Sequence, residues 1–447
     1  MPPRLPAAFN AVRRGSKGRP ARLQPALHNP ASDAAMPARR RGSRDGAWLL
    51  RAALNRLIRQ GELVLIDAAG MVHRFGRPGQ TPRVTLAIRD RALHWKLLIN
   101  SQLRFGEAYM AGAIAIEEGT LRDFTELAAR NIGSGSLLPV SIPSWLRRAI
   151  RPLQQHNPVR RARANAAHHY DLPERIYELF LDADRQYSCA YFTGPDETLE
   201  IAQQNKKRHI AAKLLLGHNM RVLDIGSGWG GLAIHLAAAT GAEVTGLTLS
   251  AEQQRAAWQR ACDAGLADRV RFHLRDYREE TGTYDRIVSV GMFEHVGVGY
   301  YKAFFSKIKS LLRPGGIALI HSIGRMDGPG LTNPWLRKYI FPGGYVPALS
   351  EVLPAIESAR LWITDIEILR LHYAETLKEW YTRFQLHRAE IVELSDERFC
   401  RMWELYLAGA EMQFRYLNTM VFQIQLAREV DSVPLVRDYL CHREEAG

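Results

Sequence analysis

The sequence predicts an α/β protein: a doubly wound parallel sheet with a smaller α/β unit ahead of it. Three observations predict this. Short apolar runs alternate with helical patterns through the second half of the chain. The first of these runs, Arg221-Val222-Leu223-Asp224-Ile225, feeds a glycine-rich turn, Gly226-Ser227-Gly228-Trp229-Gly230-Gly231, which opens into an Ala/Leu-rich helix. The chain has 447 residues, enough for two or three domains at ~100–200 residues each. A sheet of this kind takes its ligand at the C-terminal ends of the strands.

Residues 1–45 precede any apolar periodicity. Up to Arg44 they hold ten basic side chains, one acid (Asp33) and seven prolines, and are expected to form a disordered basic extension. An Arg-rich, acid-poor transit peptide is one reading. A basic tail, or translation from Met36, is the other. The first ordered unit spans 46–131. A helix is expected over the apolar positions Leu49, Leu50, Ala53, Leu54 and Leu57, then strands at Leu63–Ile66 and Val84–Ile88, then helical segments over Trp95–Met110 and Leu121–Arg130. Residues 132–165 read as a basic linker. In it Trp145, Leu146 and Ile150 stand among Arg147, Arg148 and Arg151, ahead of Arg160, Arg161 and Arg163. An interfacial amphipathic helix or a solvated linker both fit that pattern. The remainder, 166–447, is the predicted catalytic domain. Its strands are expected at Arg221–Ile225, Glu243–Leu247, Val270–Leu274, Arg286–Gly291 and Ile317–Ser322, with a helix beginning near Ser250.

Charge and cysteine usage narrow the function. Lys and Arg number 60 against 46 acids, a net of +14, so an acidic partner such as nucleic acid or an anionic membrane is indicated. No apolar run approaches the ~18–20 residues of a membrane-spanning helix, so membrane contact is expected to be peripheral. The four cysteines, Cys189, Cys262, Cys400 and Cys441, form no CxxC pair. That argues against a zinc ribbon or disulfide scaffold, and no metal is expected.

The glycine turn alone fits a dinucleotide fingerprint, Gly226-x-Gly228-x-x-Gly231. Two details point elsewhere. Asp224, two residues before the first glycine, suits a cationic amino-acid ligand better than a pyrophosphate. The second strand ends in Gly246-Leu247-Thr248-Leu249-Ser250, with no acid for a nicotinamide-dinucleotide ribose. Asp224-x-Gly-x-Gly resembles motif I of S-adenosylmethionine-dependent methyltransferases.

Six segments, that turn among them, occur in order: His169-Tyr170-Asp171, Tyr187-Ser188-Cys189-Ala190-Tyr191, Val222–Gly231, Thr248-Leu249-Ser250-Ala251-Glu252-Gln253, Gly291-Met292-Phe293-Glu294-His295-Val296-Gly297 and His321-Ser322-Ile323-Gly324. Together they resemble the cyclopropane-fatty-acid synthase family, which includes the mycolic-acid cyclopropane synthases, over about residues 160–430. Gly106-Glu107-Ala108-Tyr109-Met110 also resembles the small N-terminal domain of the bacterial phospholipid enzymes. The resemblance implies a Rossmann-like methyltransferase sheet with helical lipid-binding insertions, S-adenosylmethionine as cofactor, and a cis double bond of a phospholipid acyl chain as acceptor.

By the same resemblance, a bound bicarbonate is the base, held by Glu294, His321 and Tyr373 and by backbone at Cys189. For the cofactor, Asp224, Gly226, Ser227, Gly228 and Gly230 belong to the loop against its methionine portion. Thr248, Leu249, Ser250 and Gln253 fall to the ribose, Arg275 and Asp276 to the adenine, and Tyr187 and Ser188 close the pocket. Trp335, Tyr339, Phe341 and Tyr345 either line the acyl channel or merely pack on the sheet. In the phospholipid enzymes a cysteine often stands where this chain has Ala410, and the neighbouring Glu411 reads as a solvated helical residue. The implied site of action is cytoplasmic, on the inner face of the membrane, with no nucleic-acid partner; a homodimer is left open. A lipid C-methyltransferase that stops at a methyl or methylene branch is the alternative within the fold, and a nucleic-acid methyltransferase the alternative outside it.

Overall fold

The computed structural model describes residues 46–133 and 173–440. The basic extension, most of the predicted linker with its arginines, and His169-Tyr170-Asp171 lie outside the described residues.

The first unit begins with α1 (Ala47–Leu57), β1 (Glu62–Ile66), β2 (Val72–Gly76), β3 (Arg83–Ile88), α2 (Leu93–Ile99), α3 (Ser101–Met110), β4 (Ile114–Glu118) and α4 (Leu121–Gly133). Its four strands are ordered β2-β1-β3-β4 around a core that includes Leu63, Leu65, Phe75, Val84 and Leu127. The helical pattern expected over Trp95–Met110 is divided at Asn100. There φ is −150°, and the side chain accepts a hydrogen bond from the Leu103 N–H at 3.2 Å, capping α3. The strands β2 and β4 were not anticipated; in β2 only Phe75 is buried, so no alternation marks it.

The larger unit follows with α5 (Glu174–Phe180), α6 (Leu199–Lys213), β5 (Arg221–Ile225), α7 (Gly231–Thr240), β6 (Glu243–Thr248), α8 (Ala251–Asp263), β7 (Val270–Leu274), β8 (Tyr284–Val290), α9 (Tyr301–Leu311) and β9 (Leu312–Arg325). The chain then adds α10 (Pro334–Tyr339), α11 (Leu349–Ser358), β10 (Trp362–Ile368), α12 (His372–Leu386), α13 (Arg388–Leu394), α14 (Glu397–Tyr416) and β11 (Thr419–Ala427). The seven strands are ordered β10-β11-β9-β8-β5-β6-β7. Strands β5 to β9 pair in parallel, as the βαβ alternation predicts, but β11 runs antiparallel to both β9 and β10. The sheet is therefore mixed rather than wholly parallel. Strand order reverses between β5 and β8, which opens a crevice at their C-terminal ends.

Over that crevice pack α5, α12 and α14, joined by an aromatic core of Tyr177, Phe180, Trp380, Phe384 and Trp403. Helix α14 also touches the smaller unit. Glu411, read from the sequence as solvated, is instead fully buried. It accepts from Arg122 Nε and Nη2 at 2.8 and 2.7 Å and from Arg415 Nε at 2.7 Å. The correction has a plain cause: the surface of α14 that the sequence left to water is covered by α4. Glu411→Ala would remove the acid between two arginines. We expect a loss of about 3 kcal/mol, the low end for breaking a buried pair because Arg122 is partly exposed, read as a lower urea midpoint at unchanged slope.

Candidate active site

The loop after β5 builds the first half of the site. Gly226 has φ +86°, and a Cβ there would stand 2.9 Å from Cβ of Met292, so only glycine lets the turn pass under Met292. Gly230 has φ +82°, and a Cβ would meet the Phe272 ring at 2.7 Å and Ala257 at 2.8 Å. Gly230 thus serves the packing of α7 against α8 and β7, and it does not line the cavity assigned to it from sequence.

That cavity, ≈ 190 Å³, lies at the strand-order reversal. Asp224, Gly226, Ser227 and Gly228 form one wall. Thr248, Leu249, Ser250 and Gln253 form the next, where Thr248 Oγ1 donates to Gln253 Oε1 at 3.0 Å and Ser250 caps α8. Arg275 and Asp276 close the far end. The Asp276 carboxylate is already clasped by Arg278 at 2.8 and 2.7 Å, and Arg275 reaches Glu280 at 2.8 Å. Asp224 is fully buried, and burial pushes its carboxyl up to about 7 against the pull of Lys206. Its Oδ2 makes no hydrogen bond.

Tyr187 and Ser188, with Gly291 and His295, form the wall between this cavity and a second one of ≈ 130 Å³. Tyr187 stacks on Trp380 at 5.1 Å between centroids, and its hydroxyl is 3.0 Å from that of Tyr406. Ser188 Oγ accepts from the buried Lys206 Nζ at 2.9 Å, while the same ammonium donates to Gln186 Oε1 at 2.7 Å.

The second cavity brings together Glu294, His321, Tyr373 and Cys189, which lie far apart in sequence. Glu294 sits in a single 3₁₀ turn after β8. Its Oε1 accepts from the Ile323 N–H at 2.6 Å, its Oε2 has no partner, and burial pushes the carboxyl up to about 7. Burial pushes His321 down to about 3 and His295 down to about 4, so both rings are neutral. Tyr373 leads α12, its ring edge-on to Trp380 at 5.8 Å. The Cys189 thiol donates to the Ala190 carbonyl at 3.3 Å, and burial pushes its pKa well above the ordinary thiol value. It remains a thiol.

The four aromatic residues with two open readings divide between them. Phe341 and Tyr345 line the second cavity. Trp335 instead packs on Gly106, where a Cβ would lie 2.3 Å from the indole, and Tyr339 donates to Glu107 at 3.1 Å. Ala410 also lines this cavity. Sequence reasoning missed Lys206, His295, Tyr406 and Gln423. A Lys206-Lys207 pair on a surface-like helix gave no sign of burial, and Gln423 was marked only by being polar within Val421-Phe422-Gln423-Ile424.

Residues 157–424 match the model of the family described as mycolic acid cyclopropane synthetase. The chain belongs to that family. It is 38% identical over 368 residues to the cyclopropane-fatty-acyl-phospholipid synthase of Escherichia coli (strain K12), covering 82% of this chain and 93% of that protein. It is 40% identical over 357 residues to the tuberculostearic acid methyltransferase UfaA1 of Mycobacterium tuberculosis, covering 76% and 82%. The crystal structure of mycolic acid cyclopropane synthase CmaA1 complexed with SAH and CTAB aligns at a TM-score of 0.57 and 32% identity, over 59% of this chain and 98% of that one. As a cyclopropane synthetase family member the protein is an S-adenosylmethionine-dependent methyltransferase.

The first cavity fits that cofactor: Asp224 Oδ2, buried and without a partner, is the acceptor an α-ammonium needs. Two opposite effects are therefore expected of Asp224→Asn. The raised carboxyl stabilises the cofactor-free fold below its unfolded value near 4 and loses that contribution as pH rises through about 7. At pH 8 the variant should be the more stable by roughly 1–2 kcal/mol in urea unfolding. Calorimetry should find S-adenosylmethionine bound about 10- to 100-fold more weakly.

Proposed function

We propose that this enzyme transfers a methylene group from S-adenosylmethionine to the cis double bond of unsaturated phospholipid acyl chains, forming a cyclopropane ring. One observation supports it above the rest. An apolar, aromatic-walled cavity holding one half-partnered carboxyl shares a wall with the cofactor cavity.

An alkene is a poor nucleophile with no proton to lose first, so no base is needed to start the reaction. The protein must hold the donor against the double bond and keep water out. When bound, the cofactor supplies an electrophilic methyl group. Asp224 would take its ammonium, the Gly226–Gly228 backbone its methionine portion, and Thr248, Leu249, Ser250 and Gln253 its ribose. Arg275 and Asp276 would hold the adenine. Tyr187 and Ser188, which line both cavities, would hold the donor against the acyl chain. The aromatic rings of Tyr187, Phe341 and Tyr373, which line this second cavity, would stabilise the positive charge that then develops on the acyl chain. One proton must finally leave the transferred methyl so that its electron pair closes the ring.

Glu294, His321 and Tyr373, with backbone at Cys189, would hold a bicarbonate, which supplies the base for that proton. The unpartnered Glu294 Oε2 suits a ligand that brings its own O–H. The buried thiol of Cys189 takes no part, since it is not ionised.

Ala410 favours a second reading, a lipid C-methyltransferase without ring closure, because it lines the second cavity at the position where the phospholipid enzymes often carry a cysteine. Product analysis in a host lacking cyclopropane lipids separates the two. We expect cyclopropane chains from the wild type, near-normal output from Ala410→Cys, and a loss of about 100-fold or more in Glu294→Gln. Branched methyl or methylene chains as the sole wild-type product would establish the alternative.

We propose that the reaction takes place at a membrane surface, on the cytoplasmic side. No helix among the described residues is long and apolar enough to cross a membrane, so we propose peripheral attachment assisted by Arg147, Arg148, Arg151, Arg160, Arg161 and Arg163. Sedimentation with anionic vesicles should fall as salt rises and when these arginines are replaced by glutamine. Equal partitioning to neutral and anionic vesicles at all salt concentrations would refute the attachment.

A further inference from the structure

Gln423 is fully buried in β11, directly opposite His321 in the register with β9. Its Nε2 lies 3.1 Å from His321 Nδ1, and its Oε1 has no partner. An amide among Val421, Phe422 and Ile424 is costly to bury unless it is paired. Here its single bond goes to the histidine. With Nδ1 engaged, Nε2 is the ring nitrogen left for the acyl cavity that His321 lines.

The ring is neutral. Burial dominates, Lys206, Lys213 and His209 on α6 act in the same direction, and Glu367 on β10 opposes them weakly. A neutral imidazole has one donor and one acceptor, and the partner at one nitrogen decides the state of the other. An acceptor at Nε2 would put a lone pair into the same cavity as the unpartnered Glu294 Oε2, which accepts whenever that carboxyl is ionised. A donor at Nε2 complements the ionised carboxyl instead.

We propose that Gln423 is a positioning residue for the reaction: its amide N–H donates to Nδ1 of His321 and so keeps the imidazole hydrogen on Nε2, as a donor to the acyl cavity. The use of that donor rests on the function proposed above; the bond itself does not.

The test is ¹⁵N NMR of the full-length enzyme labelled at histidine, with His321 assigned by the signal lost in His321→Asn. The wild type should show the Nε2–H tautomer at neutral pH. Gln423→Leu should show a mixed or reversed tautomer, with kcat reduced by roughly 10- to 100-fold, as for loss of a histidine-orienting partner, and KM for S-adenosylmethionine unchanged. An Nδ1–H wild type overturns the proposal, as does Gln423→Leu with wild-type tautomer and kcat. If that variant does not fold, the wild-type spectrum alone decides. An Nδ1–H enzyme that still makes cyclopropane rejects only this role of Gln423. An Nε2–H enzyme that makes none rejects the proposed function instead.

Discussion

Two carboxyl groups buried without a full set of partners, Asp224 and Glu294, are the constraint around which the site is organised. Each is pushed up to about 7 by burial. At higher pH that corresponds to roughly 3–4 kcal/mol against each charged form. A fold keeps such groups only where surrounding structure offsets the cost. The parallel strands β5 and β8 provide the support, because both carboxyls follow from where these strands end. Asp224 lies near the tip of β5, and Glu294 lies in the 3₁₀ turn just beyond β8. The reversal of strand order between them leaves a crevice that neither neighbouring strand fills.

What closes the crevice comes from far away in the chain. Tyr187 and Ser188 precede α6, Tyr373 begins α12, and Tyr406 and Ala410 belong to α14. Their assembly depends on the aromatic packing of Tyr187, Trp380, Phe180 and Trp403. The Glu411 fork to Arg122 and Arg415 ties the same helix to the smaller unit. One helix face thus serves the acyl cavity through Tyr406 and Ala410 while another meets α4. A displacement of α14 would alter the cavity wall without touching either carboxyl.

The legible part of this fold was local. The run Val222–Ile225 into Gly226 shows a strand, its turn and the following helix in consecutive residues, and Ser250 before α8 is a cap readable at three-residue range. The residues that line the two cavities lie in short ordered segments of the sequence, but their meeting could not be derived from it. What failed was non-local. Strand β11 is buried on both faces, so it lacks the alternation of a half-exposed strand, and its antiparallel place beside β9 depends on pairing across about 100 residues. Glu411 read as exposed because its partner Arg122 belongs to another unit. Gly230 was assigned to the cofactor with the rest of its loop, yet its tight contact is with Phe272 and Ala257. For Glu411 and Gly230 spacing reported the element and tertiary packing decided which way the residue faced; for β11 spacing did not report the element at all.

The charge states around the second cavity fit one class of chemistry. An electron-deficient carbon on an acyl chain is consumed by any nucleophile within reach. His321 and His295 are neutral and drawn far below their ordinary values, so neither adds a positive charge that would repel such a carbon. Cys189 is held as a thiol, with its hydrogen directed to the Ala190 carbonyl, so the strongest potential nucleophile in the wall is suppressed. Lys206, pushed down to about 8 by burial, is held through its bonds to Gln186 and Ser188. Beside these groups the second cavity is lined by the rings of Tyr187, Phe341, Tyr345, Tyr373 and Tyr406 and by the carboxyl of Glu294. Aromatic faces stabilise positive charge without forming a bond to it. Aromatic walls that favour a cation without bonding to it suit a reaction whose last bond forms within the substrate itself, as ring closure requires.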